Sequence, residues 1–127
     1  GAAFLSYSIF GNPEGRFLEG IREGIRVLDT RDVDFEYEGE MAADVALNPV
    51  LQRVYPFSRL TGPANVLIMP GLQTANISAK LLKELGGDAL IGPILVGMKQ
   101  QVQIASMTAT ASDLVTLAVL AAGRIVQ

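Results

Sequence analysis

The stretch ANVLIMPGLQTANISAKLLKELGGDALIGPILV, residues 64–96, decides the fold class. Asn65 to Met69 is a short run apolar on both faces, as a buried strand of a parallel sheet requires, and Pro70-Gly71 closes it. Ile77, Leu81 and Leu85 then recur every fourth residue, one face of a helix that Gly86-Gly87 ends. Ala89 to Val96 is apolar again and predicts a further strand, bent at Gly92-Pro93 because proline cannot donate to a central ladder. Strand, helix and strand in this order are the unit of an α/β layered fold with a mostly parallel sheet and flanking helices.

The flanking sequence repeats the alternation. Ala2 to Ile9 predicts another buried strand, with Gly11 after it and Pro13 as an early helical residue. Phe17, Leu18, Ile21, Ile25 and Leu28 fall on one helix face, although Gly20 and Gly24 weaken that helix unless they permit close packing. Val33 to Glu38 alternates Val33, Phe35 and Tyr37 with Asp34, Glu36 and Glu38, a strand with one wet face. Met41 to Val54 predicts a short helical stretch interrupted at Asn48-Pro49, and Tyr55 to Ala64 a loop. Val102 to Ala105 predicts a short strand. Ala111 to Val126 predicts an apolar helix that needs cover on most sides.

Composition bounds the chemistry. The 127 residues are 50% hydrophobic and 18% charged, so the chain has the apolar surface for one domain core and is not of disordered type. A net charge of −3 carries no electrostatic footprint for nucleic acid. The longest apolar stretch, Leu114 to Gly123, is about half of the ~20 residues that cross a bilayer. With no cysteine and no histidine, the chain has no thiolate or imidazole metal ligand, no disulfide and no Ser-His-Asp triad. The cysteine count fits a cytoplasmic protein. A chain that opens on Gly1-Ala2-Ala3-Phe4, running directly into a strand, is expected to be a piece of a longer polypeptide.

Candidate sites follow from the fold class, because open α/β sheets bind ligands at the carboxyl ends of their strands. Three loops qualify: Ser6-Tyr7-Ser8 with Gly11-Asn12, Pro70 to Asn76 ahead of a helix N-terminus suited to an anion, and Ser106 to Thr110 before the last helix. Ordinary capping competes with the third, since Thr110 and Asp113 have capping-box spacing. The acidic residues Asp34, Glu36, Glu38, Glu40 and Asp44 could gather a hard cation, but a solvated strand face is the more economical reading. Neither a dinucleotide fingerprint nor a phosphate-binding P-loop occurs.

The strings LSYS (5–8), GEMAADVALNP (39–49), GPANVLIMPGLQTANISAKLLKELGG (62–87) and IGPILVGM (91–98) resemble the phosphate acetyl/butyryl transferase family. The resemblance runs through nearly the whole chain. It implies the C-terminal part of a two-domain α/β module that binds acyl-CoA between its domains. Residues 1–91 would belong to the second, CoA-cleft subdomain, and residues 92–127 would be a strand and helix returning to the first. Free-standing members carry Ser-Arg-Gly-Cys-Ser where this chain has Ser106-Met107-Thr108-Ala109-Thr110. Ser106 and Asp113 match the family; Met107 replaces an arginine that neutralises phosphate, so no confident catalytic residue is assigned. By position, Ser106, Met107 and Asp113 would line the acyl-CoA cleft, with Gly92, Pro93 and Gly97 and the loop residues Gln73, Thr74 and Asn76 nearby.

The segments YPFSRLTGPANVLIMP and MTATASDLV further resemble the C-terminal domain of large bacterial malic enzymes. That resemblance implies a regulatory, oligomer-forming domain that senses acetyl-CoA or a related acyl-CoA. It implies no cofactor or metal within this chain, with NADP and Mg or Mn held by an N-terminal malic enzyme domain in cis. A working phosphate acetyltransferase and a ligand-free dimerisation scaffold are the alternatives.

Overall fold

The computed structural model describes residues 1–86 and 90–123. The chain divides into two compact units, Gly1–Lys80 and Leu81–Gln127. The first contains a parallel sheet of β1 (Ala2–Leu5), β2 (Tyr37–Met41) and β3 (Val66–Ile68), in the order β2-β1-β3. Ala2 stands opposite Tyr37 on one side and Val66 on the other, and the register with β2 slips between Phe4 and Leu5.

Each connection between these strands carries helix. Helix α1 (Glu19–Asp29) follows β1, and the short α2 (Ala43–Leu47) and α3 (Pro49–Gln52) follow β2. Ala3, Leu5 and Met41 pack with Val45, Ala46, Leu60 and Ala64 on one sheet face. Phe4, pointing the other way, meets α1, where a side-chain atom at Gly24 would lie 3.7 Å from the Phe4 ring. The interior glycine at 24 therefore permits close packing. Gly20 does not, since nothing lies within 4 Å of its side-chain position. Asn48 caps α3 by accepting from Val50 N (2.9 Å). The strands are parallel, but strand order reverses at β1, with β2 added on one side and β3 on the other, which makes the carboxyl ends of β1 and β3 the switch point of this unit.

Several expectations are corrected. Pro13 lies outside α1, which begins at Glu19, with Arg22 N donating to Leu18 O (3.0 Å). Residues 9–12 are instead tied into a turn by Ile9 N to Asn12 O (2.9 Å) and the reverse bond (3.2 Å). The second strand lies at Tyr37–Met41, not Val33–Glu38, and its carboxylates point inward. Glu38 and Glu40 are 6% and 3% exposed. Carboxylates with enough donors can be buried, which hydropathic alternation alone does not anticipate.

The second unit departs further. Residues 90–96 and Val102–Ala105 are not strands; Ala89 lies outside the described residues. Pro93 offers no N–H, and a side chain provides the nearest thing to a ladder. Gln103 accepts from Leu95 N (2.9 Å) and donates to Leu95 O (3.2 Å). Helix α4 (Leu72–Leu85) ends as expected at Gly86, whose N–H reaches Leu82 O (2.8 Å). Helix α5 (Ala111–Ala122) forms over most of its predicted span; residues 124–127 lie outside the description. Neither α4 nor α5 buries a residue, so the cover expected over the last helix is absent among the described residues.

Candidate functional site

In the second unit Gly92, Ser106 and Asp113 line one pocket with Ile104, Thr108 and Lys83. Its volume of about 70 Å³ would hold an acetyl-sized group, well short of the ~300 Å³ at which ligand pockets begin. The sequence therefore brings three of its candidate residues together. Met107 is not among the lining residues and is fully exposed, and Pro93 and Gly97 do not line the pocket either. Lys83 was missed. Its only signal is a basic residue in the last turn of α4.

The chemistry of this pocket is set by the start of α5. Thr110 N donates to Asp113 Oδ2 (2.8 Å), and Asp113 N donates to Thr110 Oγ1 (3.2 Å), which completes the predicted capping box. The Thr110 N–H, then the Thr110 side chain, hold the Asp113 carboxyl below its ordinary range, with a smaller contribution from the Lys83 charge. A carboxylate so engaged is a weak base. Ser106 Oγ accepts from Thr108 N (3.2 Å) and lies 3.0 Å from Thr108 Oγ1, a local turn that exposes its remaining bonding capacity.

In the first unit, Gln73, Thr74 and Asn76 lie in the opening turns of α4. Ala75 N makes the bond to Gly71 O (3.0 Å), which places the Leu72, Gln73 and Thr74 N–H groups ahead of the helical ladder. At the switch point, Phe4, Phe17, Gly20, Ile21, Met69 and Pro70 surround an apolar pocket of about 180 Å³.

The β1–α1 loop is occupied internally. Ser8 is completely buried, and its hydroxyl donates to Glu40 Oε1 (2.9 Å). Gly11 N donates to the same oxygen (3.0 Å), and Arg22 brackets the carboxylate through Nε to Oε2 and Nη2 to Oε1, both 2.8 Å. Ser6 Oγ accepts from Ser8 N (3.2 Å). Ser8 and Gly11 thus build the loop and do not present donors to a ligand.

The neighbouring carboxylates are engaged likewise. Glu38 accepts from Arg59 N (2.8 Å) and Gly39 N (3.0 Å), and Glu36 from Thr61 N (3.0 Å) and Thr61 Oγ1 (2.8 Å). The acidic stretch is thus divided: Glu38 and Glu40 are buried and tie loops to β2, whereas Asp34, Glu36 and Asp44 are exposed, as the solvated reading expects, with Glu36 bonded to Thr61.

The Arg22 guanidinium, opposed by burial and helped by Ser8 and Gly11, holds Glu40 below the usual glutamate value of 4.5. A carboxyl depressed by folding stabilises the native state above its unfolded value, and that stability is lost as pH falls through the folded one. Thermal melts of the intact parent protein from about pH 7 to 3 should therefore show stability falling below the ordinary glutamate range. Glu40→Gln should flatten that fall, and an unchanged profile would show that another group governs it.

The phosphate acetyl/butaryl transferase family model matches residues 1–122. The chain is 59% identical over 120 residues to the NADP-dependent malic enzyme of Rhizobium meliloti (strain 1021), covering 94% of this chain and 16% of that protein. It is 34% identical over 116 residues to the phosphate acetyltransferase of Treponema pallidum (strain Nichols), covering 89% of this chain and 34% of that protein. The crystal structure of a phosphotransacetylase from Streptococcus pyogenes superposes with a TM-score of 0.88 at 32% identity, over 95% of this chain and 37% of that one. The chain thus spans a minor share of each of these relatives.

Proposed function

Since the chain belongs to the phosphate acetyl/butaryl transferase family and is a phosphotransacetylase-like domain of the kind found in malic enzymes, we propose that it is a regulatory one. In this reading it binds acetyl-CoA or a related acyl-CoA and helps hold a homo-oligomer together, without transferase activity of its own. The parent, a cytoplasmic protein, would decarboxylate malate oxidatively to pyruvate with NADP and Mg or Mn held by an N-terminal domain in cis. Residues 1–91 would form the CoA-cleft subdomain, and residues 92–127 would return to the other.

One observation carries the proposal: Met107, fully exposed, stands where the family resemblance implies an arginine. A thioether cannot neutralise phosphate or a developing oxyanion. Two others support it. Asp113, the family's base candidate, is held by its cap, and identity to the malic enzyme exceeds identity to the transferase. The exposed apolar residues Leu114, Val115 and Val119 of α5 suit an oligomer contact. Lys83 favours the alternative of a working transferase, because it brings a cation to the pocket of Ser106 and Asp113.

The test is calorimetric titration of acetyl-CoA into the intact parent in phosphate buffer, with free CoA assayed in the same cell. Saturable binding without CoA release, weakened several-fold by Ser106→Ala, is the expected result. Binding with turnover would establish the transferase instead. No binding would leave a dimerisation scaffold.

A further inference from the structure

Glu40 stands apart among the buried charged groups because of what it holds. Its two carboxylate oxygens accept from Ser8, Gly11 and Arg22 at 2.8–3.0 Å, and its backbone oxygen accepts from Phe10 N (2.8 Å). Three bonds thus join the end of β2 to the turn that leaves β1, and two more come from the Arg22 guanidinium of α1. Between them lies a turn no chain adopts without cause. Phe10 has φ 48°, in the left-handed region that disfavours a residue with a side chain, and Gly11 follows at φ 96°. A side chain at Gly15 would collide with the Tyr7 hydroxyl, so the phenol is laid across the loop with its ring half exposed. The loop lies at the switch point, where an α/β sheet presents its ligand-facing segments.

We propose that the β1–α1 loop at this switch point faces the acyl-CoA and that Glu40 is its positioning residue, acting through Ser8, Gly11 and Arg22 without touching the ligand. The inference rests on the acyl-CoA reading above. Its consequence is that the loop is built before the ligand arrives, so that ordering it is not charged against binding.

The adjacent carboxylate supplies the control. Glu38 lies two residues earlier on the same strand, equally buried, but it ties down Arg59 and the loop ahead of β3. Loss of either carboxylate's charge weakens packing of the sheet, whereas only Glu40 reaches the β1–α1 loop. The experiment is titration of acetyl-CoA into the intact parent carrying Glu40→Gln, Ser8→Ala, both together, or Glu38→Gln, with melting temperature measured on each.

Glu40→Gln should raise the acetyl-CoA Kd at least tenfold. Ser8→Ala should raise it less, and should add little in the Glu40→Gln background because both act through one bond. Glu38→Gln should lower the melting temperature with Kd nearly unchanged. Binding by Glu40→Gln equal to that of the unsubstituted protein would overturn the inference, as would equal weakening by Glu38→Gln. If Glu40→Gln does not fold, additive effects of Ser8→Ala and Arg22→Lys on Kd would overturn it in the same way. Absence of binding by the unsubstituted parent is a different failure: it removes the acyl-CoA reading itself, and this inference with it.

Discussion

Gly39→Ala should destabilise the Gly1–Lys80 unit by about 3 kcal/mol, the upper end of what overpacking costs. Gly39 pairs in register with Phe4 of the central strand, where the ladder slips. A methyl group there would lie 2.7 Å from Phe4 Cβ, 2.8 Å from Phe4 O and 3.3 Å from Phe4 Cα. None of these atoms ends a flexible side chain, so relief requires moving β1, which pairs with both other strands. The same substitution at Gly20 has the opposite sign. Its methyl group meets nothing within 4 Å, and alanine in a helix is about 0.8–1 kcal/mol better than glycine. Chemical unfolding of the intact parent, with hydrogen exchange at Ala2–Leu5 to localise the loss, separates the two variants. Equal effects would mean that backbone entropy, rather than contact with Phe4, governs position 39.

How much of this was legible differs between the units, for a physical reason. In the first unit, β1 and α1 announce themselves through apolar runs and helical spacing, since their buried residues are Ala3, Leu5, Leu18 and Ile25. A strand also forms within Asn65–Met69, but it is not the buried strand expected, because Val66 and Ile68 of β3 are exposed. The second strand was misplaced because its buried positions are Glu38 and Glu40. Polar burial obeys hydrogen-bond partners, and those partners lie 21 and 18–32 residues away in sequence. No local pattern encodes such distances. The Thr110–Asp113 box, by contrast, spans three residues and was readable from spacing alone.

In the second unit the apolar character of residues 90–96 is real, but a strand exists only with a neighbour, and among the described residues that role falls to the Gln103 side chain. The candidate site shows the same division. Gly92, Ser106 and Asp113 were named from family strings and do share a pocket. Lys83 belongs to it as well. It was invisible because a lysine in the last turn of a helix ordinarily serves the helix dipole. Met107, singled out from the same strings, is fully exposed and does not line the pocket, although its neighbours Ser106 and Thr108 do.

The intact parent should form acetyl phosphate from acetyl-CoA and phosphate about 10²- to 10³-fold more slowly than a free-standing phosphotransacetylase assayed beside it, the cost of losing one well-placed donor to a developing anion. Two groups carry the expected deficit. Met107 supplies no charge, and Asp113 is held in its ionised, weakly basic form by Thr110 and Lys83. Among the described residues lining the pocket, Lys83 opposes the prediction, because an ammonium can meet a phosphate as a point charge, though without the two-pronged geometry of a guanidinium. Met107→Arg tests whether the missing charge or the capped aspartate dominates. A recovery of tenfold or more would assign the deficit to position 107. No recovery, with acetyl-CoA still bound, would assign it to the capping box. A parent that already matches the free-standing enzyme would mean that Lys83 does the arginine's work, and the regulatory reading would give way to catalysis.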